Sequence, residues 1–355
     1  MIKLERGDIL KADAEALVNT VNCVGVMGKG IALQFRNKYP ENYTAYKLAC
    51  DHKELTPGRV FIFDRGALYP GVRPRYIVNF PTKNHWRGKS KMEFVTSGLD
   101  ALVSEVRDRG IRSIAIPPLG CGNGGLEWDE VRPAIEQAFS NLEGVDVHLY
   151  EPAGAPKADA MEVRTDRPKM TQGRAAVIRA LHLYQSPTYR HGLLEVQKLA
   201  YFVQGAGWPL RLNYARNKYG PYAENLHHVL QRIEGHFTRG YGDRSQDTEI
   251  YLLPGAVEEA NDFLRQDPEA ERRLERVKRL IDGFETPYGM ELLSTVHWLG
   301  LESEEVRRDP EAAVEGVRAW NGRKAKLFRP SHVRIAWERL RDEGWFEEAE
   351  SPVLL

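Results

Sequence analysis

Over residues 1–150, short apolar runs alternate with segments whose apolar positions recur every three or four residues. The runs Ala16–Asn22, Arg59–Phe63, Tyr76–Phe80, Ser113–Pro117 and Val145–Tyr150 are β-prone and predict strands. Between them, Met92–Arg109 carries Phe94, Leu99, Leu102, Val103 and Val106 at helical steps, and Glu127–Phe139 shows a helical pattern too. Such alternation predicts an α/β domain with helices on both faces of a sheet. Beyond residue 170 the pattern becomes mainly helical. Thr171 is the expected N-cap of a helix over Ala175–Tyr184. Leu193–Val203, Tyr222–Ile233, Val257–Leu264, Ala270–Ile281, Met290–Leu299, Glu311–Trp320 and Ser331–Asp342 predict further helices. Pro221, Pro254, Pro268, Pro310 and Pro330 stand near their starts, where proline is tolerated. Glu249–Leu253 predicts a short extended piece.

The periodicity fades over 152–174, which holds three prolines and few large apolar residues. This stretch is the expected linker between a domain over 1–155 and a mainly helical domain over 171–355. Two domains suit 355 residues. The chain carries 50 Lys+Arg and 50 Asp+Glu, so its formal charge is zero. Cutting after Pro156 leaves 20 basic and 19 acidic residues on one side, 30 and 31 on the other. Neither half is a general polycation for nucleic acid. Three widely separated cysteines, Cys23, Cys50 and Cys121, offer no disulfide framework and no CxxC metal pair. Residues 1–10 are followed by no apolar signal segment, and no run reaches 18 apolar residues. The expectation is a reducing cytoplasm with no membrane span, no metal and no cofactor.

Three loops after predicted strands carry the candidate chemistry. The first, Val18–Ala32, contains Gly25, Gly28 and Gly30 before a helical start at Ile31. Its spacing fits neither a Walker loop nor GxGxxG. Glycines there let backbone amides approach an anion, although a plain strand–turn–helix also accounts for them. The second, Ile114–Trp128, places Gly120, Gly122, Gly124 and Gly125 within six residues, an entropic penalty that makes sense if backbone must wrap a ligand. As a pair, the loops suit a diphosphate outside the carboxyl ends of parallel strands. The third, Tyr76–Lys91, places Lys83, His85 and Trp86 at a strand end, followed by Arg87, Lys89 and Lys91. Lys83 there is a cationic clamp or, when desolvated, a nucleophile; the basic residues beside Trp86 suit phosphate contact and base stacking, or simply a solvated loop.

Together these stretches resemble a macrodomain, the ADP-ribose-binding fold, over residues 1 to about 155. The branch they resemble is the DarG antitoxins, DNA ADP-ribosyl glycohydrolases related to the terminal ADP-ribose glycohydrolases. The resemblance implies a mixed sheet between helices. Arg6–Leu10 matches the family's first-strand motif, so Asp8 would accept from the adenine amino group with Ile9 beside the ring. Asn19 and Asn22 with Gly28, Lys29, Gly30, Ile31 and Ala32 match the ribose and phosphate loop, Asn22 orienting the distal ribose. Gly120, Cys121, Gly122, Asn123, Gly124, Gly125 and Leu126 match the second phosphate loop. Phe80–Lys83 matches the segment with the catalytic lysine, which makes Lys83 catalytic beside Asn22, with Thr82 adjacent in the binding site. DNA contact would fall to His85, Trp86, Arg87, Lys89 and Lys91.

Two departures stand out. The run of consecutive glycines common to hydrolytic macrodomains is absent, and Gly124 stands where related terminal glycohydrolases carry an Asp. In the second domain, Leu194–Val203 and Lys218–Leu226 resemble a helical antitoxin-associated domain with a KLxYF helix and a KYGP turn. The family's pattern implies a partner toxin, DarT, a DNA ADP-ribosyltransferase. Acidic positions such as Glu302, Glu304, Glu305, Glu347, Glu348 and Glu350 would then imitate DNA phosphates, or be solvated faces. The expected substrate is ADP-ribosylated DNA, with ADP-ribose as product. The alternatives are a non-catalytic ADP-ribose reader with a protein-binding helical module, and a hydrolase of ADP-ribosylated protein.

Overall fold

The computed structural model describes residues 1–67, 71–184, 191–244 and 247–347. The chain divides into two compact units, Met1–Asp166 with Gly242–Gln246, and Arg167–Tyr241 with Asp247–Leu355.

The first unit contains β1 (Ile2–Glu5), β2 (Ala16–Val21), α1 (Gly30–Lys38), α2 (Pro40–Asp51), β3 (Phe61–Asp64), β4 (Tyr76–Pro81), α3 (Met92–Asp108), β5 (Ser113–Ile116), α4 (Trp128–Phe139) and β6 (Asp146–Tyr150). Its six strands lie in the order β1-β6-β5-β2-β4-β3. All neighbours run parallel except β3, which pairs antiparallel with β4. Alternation along β2 supplies both layers: Ala16 and Val18 join the cluster under α3 and α4, while Leu17 and Val21 face the α1 and α2 side. Leu99, Leu102 and Val106, the helical-step residues of α3, are at most 1% exposed, and each contributes roughly 2–3 kcal/mol of burial. Gly98 lets α3 lie against the sheet, because a Cβ there would come 2.4 Å from Phe80 Cζ.

Two expectations change here. The first strand is Ile2–Glu5, and Arg6–Leu10 follows it: Asp8 caps a 3-10 turn over Ile9–Lys11. The helix α2 has no counterpart in the sequence reading. Its mixed face, with Asn42 fully buried, hides its period.

The second unit holds α5 (Gln172–Leu183), α6 (Leu193–Gly205), the hairpin β7 (Tyr214–Asn217) and β8 (Gly220–Ala223), and α7 (Leu226–Ile233). A two-residue pair, β9 (Thr238–Arg239) with β10 (Tyr251–Leu252), precedes α8 (Ala256–Leu264), α9 (Ala270–Ile281), α10 (Pro287–Glu302), α11 (Glu304–Arg308), α12 (Pro310–Trp320), α13 (Gly322–Leu327) and α14 (Pro330–Asp342). Thr171 caps α5 as expected, its hydroxyl accepting from the Arg174 amide. The helix expected over Tyr222–Ile233 begins only at Leu226. Gly220, at φ +90°, and Pro221 belong to a hairpin strand instead of a helix start.

The core of this unit encloses charge. Lys324 is fully buried and donates to Glu291 Oε1 at 2.6 Å and to Thr295 Oγ1 at 3.0 Å. Arg323 grips the same carboxylate at 2.6 and 3.1 Å. Buried His297 accepts from Tyr201 through Nδ1 at 2.8 Å and donates through Nε2 to the Trp345 carbonyl at 3.3 Å, the neutral tautomer that satisfies both partners.

Candidate active site

Four parallel strands, β1, β2, β4 and β5, deliver their carboxyl ends to one edge of the first unit's sheet. Apart from Asn19, which lies within β2, the predicted site residues sit on the segments leaving that edge: Asp8 and Ile9 after β1, residues 22–32 after β2, 82–91 after β4, and 117–126 after β5.

The loop after β2 is shaped by Asn22. Its Nδ2 donates to the Val26 carbonyl at 2.6 Å, and its Oδ1 accepts from the Val24 amide at 3.0 Å. Tyr46 on α2 donates to the Asn22 carbonyl at 2.7 Å. Asn22 is thus the organiser of the loop that leads to α1. Asn19 lies deeper and is fully buried. It donates to Asn79 Oδ1 at 3.2 Å, and Asn79 in turn donates to Asn42 at 2.7 Å, an amide relay that ties β2, β4 and α2 together. Lys29 is exposed at the loop tip; Gly30 opens α1 at φ +61°.

The loop after β5 turns on Gly120 (φ +75°) and Gly125 (φ +79°), with the Leu126 amide donating to the Gly120 carbonyl at 3.1 Å. Cys121 is half-buried, and burial pushes its thiol up to about 11. Gly122 and Asn123 are exposed. The two glycine loops converge, since a Cβ on Gly30 would lie 3.0 Å from Asn123 Nδ2.

Lys83 joins them to the third loop. Its ammonium donates to the Asn123 carbonyl at 3.1 Å and to the Gly88 carbonyl at 3.3 Å. Desolvation holds it below the ordinary lysine range. Its two acceptors are carbonyls, not a carboxylate. Thr82 beside it is buried, its amide donating to the Val21 carbonyl at 3.1 Å. The third loop carries an exposed platform: Trp86 is 47% exposed, His85 stacks on it at 5.4 Å, and the Arg87 guanidinium lies 4.6 Å over its ring. Lys89 is exposed, and exposed Lys91 pairs with Glu93 at 3.2 Å.

One residue that the sequence reading passed over explains the departure at Gly124. The Ser90 amide donates to the Gly124 carbonyl at 3.0 Å, and the buried Ser90 hydroxyl sits against Gly124 and Gly120. A Cβ at 124 would lie 2.2 Å from Ser90 Oγ and 2.3 Å from the Gly120 carbonyl oxygen. This backbone has no room for a side chain at position 124.

Residues 18–135 match the Macro domain family. Over 344 residues the chain is 48% identical to the DNA ADP-ribosyl glycohydrolase of Thermus aquaticus, covering 97% of this chain and 94% of that one. The chain belongs to the DarG family of DNA ADP-ribosyl glycohydrolases. A DNA ADP-ribosyl glycohydrolase of Mycobacterium tuberculosis is 41% identical over 359 residues, covering 96% of this chain and 99% of that one. The solved macrodomain of Thermus aquaticus DarG is 55% identical and covers 43% of this chain and 99% of that chain, at a TM-score of 0.41. As in the DarG family, a macrodomain with a mixed sheet between helices precedes a mostly helical region, and the chain is an ADP-ribosyl glycohydrolase. No helix among the described residues is long and apolar enough to cross a membrane.

Proposed function

We propose that the first unit binds ADP-ribose attached to a DNA base along the carboxyl edge of the sheet and hydrolyses the N-glycosidic bond at C1″. The observation that carries this reading is Lys83: a partly desolvated ammonium held on the Asn123 carbonyl of the second glycine loop, with Asn123 in turn neighbouring Gly30 of the first. Asp8 and Ile9 take the adenine end, and the loop amides of 28–32 and 120–126 take the diphosphate.

The surroundings of Lys83 favour proton donation over a covalent adduct. The carboxylate that would resolve an adduct has no place at Gly124, and burial lowers the pKa of Lys83, which makes its ammonium a stronger acid. The C1″–N bond breaks with its electron pair leaving on the base, which takes a proton from Lys83. Water forms the new bond to C1″ and returns a proton to the Lys83 amine. The developing positive charge on the ribose is stabilised by the adjacent diphosphate. The DNA strand on either side is met by His85, Trp86, Arg87, Lys89 and Lys91.

The second unit is proposed to hold the partner toxin, a DNA ADP-ribosyltransferase. A Thermosipho africanus fusion protein, 34% identical over 163 residues, joins a DNA ADP-ribosyl transferase and a DNA ADP-ribosyl glycohydrolase in one chain, which supports the pairing. The acidic positions offer mixed support for mimicry of DNA. Glu302 pairs with Arg216 and Glu304 with Arg308, whereas Glu348 and Glu350 lie outside the described residues. Incubating the full chain with ADP-ribosylated DNA and with ADP-ribosylated protein tests the substrate. Release of ADP-ribose from DNA is expected; release from protein alone would overturn it.

A further inference from the structure

The first unit contains one element that its own stretch of sequence does not supply. Gly242–Arg244 groups with Met1–Asp166, although Tyr241 and Asp247 belong to the second unit. Asp243 is only 2% exposed and lies against the first turn of α1. Its backbone carbonyl accepts from the Gly30 amide at 2.8 Å. Its carboxylate Oδ2 accepts from Gln34 Nε2 at 2.5 Å, and Gln34 is itself 6% exposed. Gly30 and Gln34 are one turn apart on the same helix face, so Asp243 holds α1 at two points. Gly242, at φ +60°, rests on the linker, where a Cβ would come 3.1 Å from Ala158.

We propose that Asp243 is a positioning residue of the ADP-ribose site, acting through Gly30 and Gln34. The path is short. Gly30 faces Asn123 of the second loop, and the Asn123 carbonyl holds the Lys83 ammonium. Fixing Gly30 therefore fixes the separation of the two loops that grip the diphosphate. Because the loops are set before the ligand arrives, Asp243 contributes equally to ground-state and transition-state binding. Its loss raises KM and leaves kcat in place.

This inference rests on the reading that both loops hold ADP-ribose, and the test separates the two. ADP-ribose is titrated calorimetrically into the full-length chain, its Asp243→Ala, Asp243→Asn and Gln34→Met variants, and the Asp243→Ala/Gln34→Met pair. Asp243→Ala is expected to weaken ADP-ribose by roughly two- to thirtyfold. Asp243→Asn keeps an acceptor for Gln34 and restores affinity. Gln34→Met reproduces part of the loss without touching the Gly30 contact, and the double variant adds little to Asp243→Ala. KM on ADP-ribosylated DNA follows the same order at constant kcat. A purely structural role would lower thermal stability without this affinity pattern and the rescue by Asn. Unchanged or tighter ADP-ribose binding in Asp243→Ala and Gln34→Met overturns the proposal alone. No binding of ADP-ribose by the unaltered chain overturns both it and the site.

Discussion

Substituting Gly124 tests whether the second loop is closed to side chains. A Cβ there stands 2.2 Å from Ser90 Oγ and 2.3 Å from the Gly120 carbonyl oxygen, well inside van der Waals contact. The hydroxyl can rotate away, but the carbonyl cannot, because it accepts from the Leu126 amide at 3.1 Å. Gly124→Ala therefore has to move backbone, and the overpacking costs about 2 kcal/mol. For a unit of this size that corresponds to roughly 4–8 °C of melting temperature. Backbone movement also breaks the bond from the Ser90 amide to the Gly124 carbonyl and displaces Asn123, on which Lys83 rests. Losing one such bond is worth about tenfold in ADP-ribose affinity. Thermal denaturation and calorimetric titration of the full chain read both quantities. Gly124→Asp, the acid that the resemblance to terminal glycohydrolases suggests, is expected to fail in the same way and to gain no turnover. Adding Ser90→Gly relieves one contact only, so the Gly120 clash remains and rescue stays partial. Native stability and native affinity in Gly124→Ala would refute the reasoning. So would a more active Gly124→Asp.

Lys83→Ala should keep ADP-ribose binding and lose most turnover in a DNA release assay. As a proton donor Lys83 must be an ammonium, so turnover is held below its lowered pKa and falls as pH rises through it; a rate that climbs over that interval points to an amine nucleophile. Neutralising Arg87, Lys89 and Lys91 should reduce the slope of log affinity for DNA against log salt by about 2–3, and an unchanged slope removes them from the interface. In the second unit, Glu291→Ala leaves Lys324 buried without its carboxylate and should cost about 3–5 kcal/mol in urea denaturation. Burial depresses His297 from 6.5 to about 4. The unfolded chain therefore binds the proton first, and stability present above pH 6.5 is lost as pH falls toward 4, by up to about 3 kcal/mol. His297→Gln should flatten that acid limb of the stability profile.

The legible parts of this protein were those whose signal is local. The β2, β4 and β5 runs, the two glycine loops and Lys83 at a strand end are read from contiguous residues, and α9 falls on its predicted bounds. What failed was set by distance or by competing signals. The hairpin Tyr214–Ala223 has short, polar strands, and Pro221 mimicked a helix start. Asn19 and Asn22 stand out locally, but only the fold shows Asn19 donating into a buried relay and Asn22 bracing its own loop. Ser90 is an unremarkable serine until Gly124 packs on it. Asp243 carries no local mark, because its partner Gln34 is 209 positions away.

That last separation orders events during synthesis. The macrodomain sequence is finished by Asp166, yet the residue that pins its first helix emerges almost 80 positions later. At about 5–20 residues per second, the nascent first unit waits roughly 4–16 s for it. During that interval the sheet and both loops are present without the Asp243 brace, so on the role proposed for Asp243 the newborn enzyme is expected to pass through a form with a looser grip on ADP-ribose.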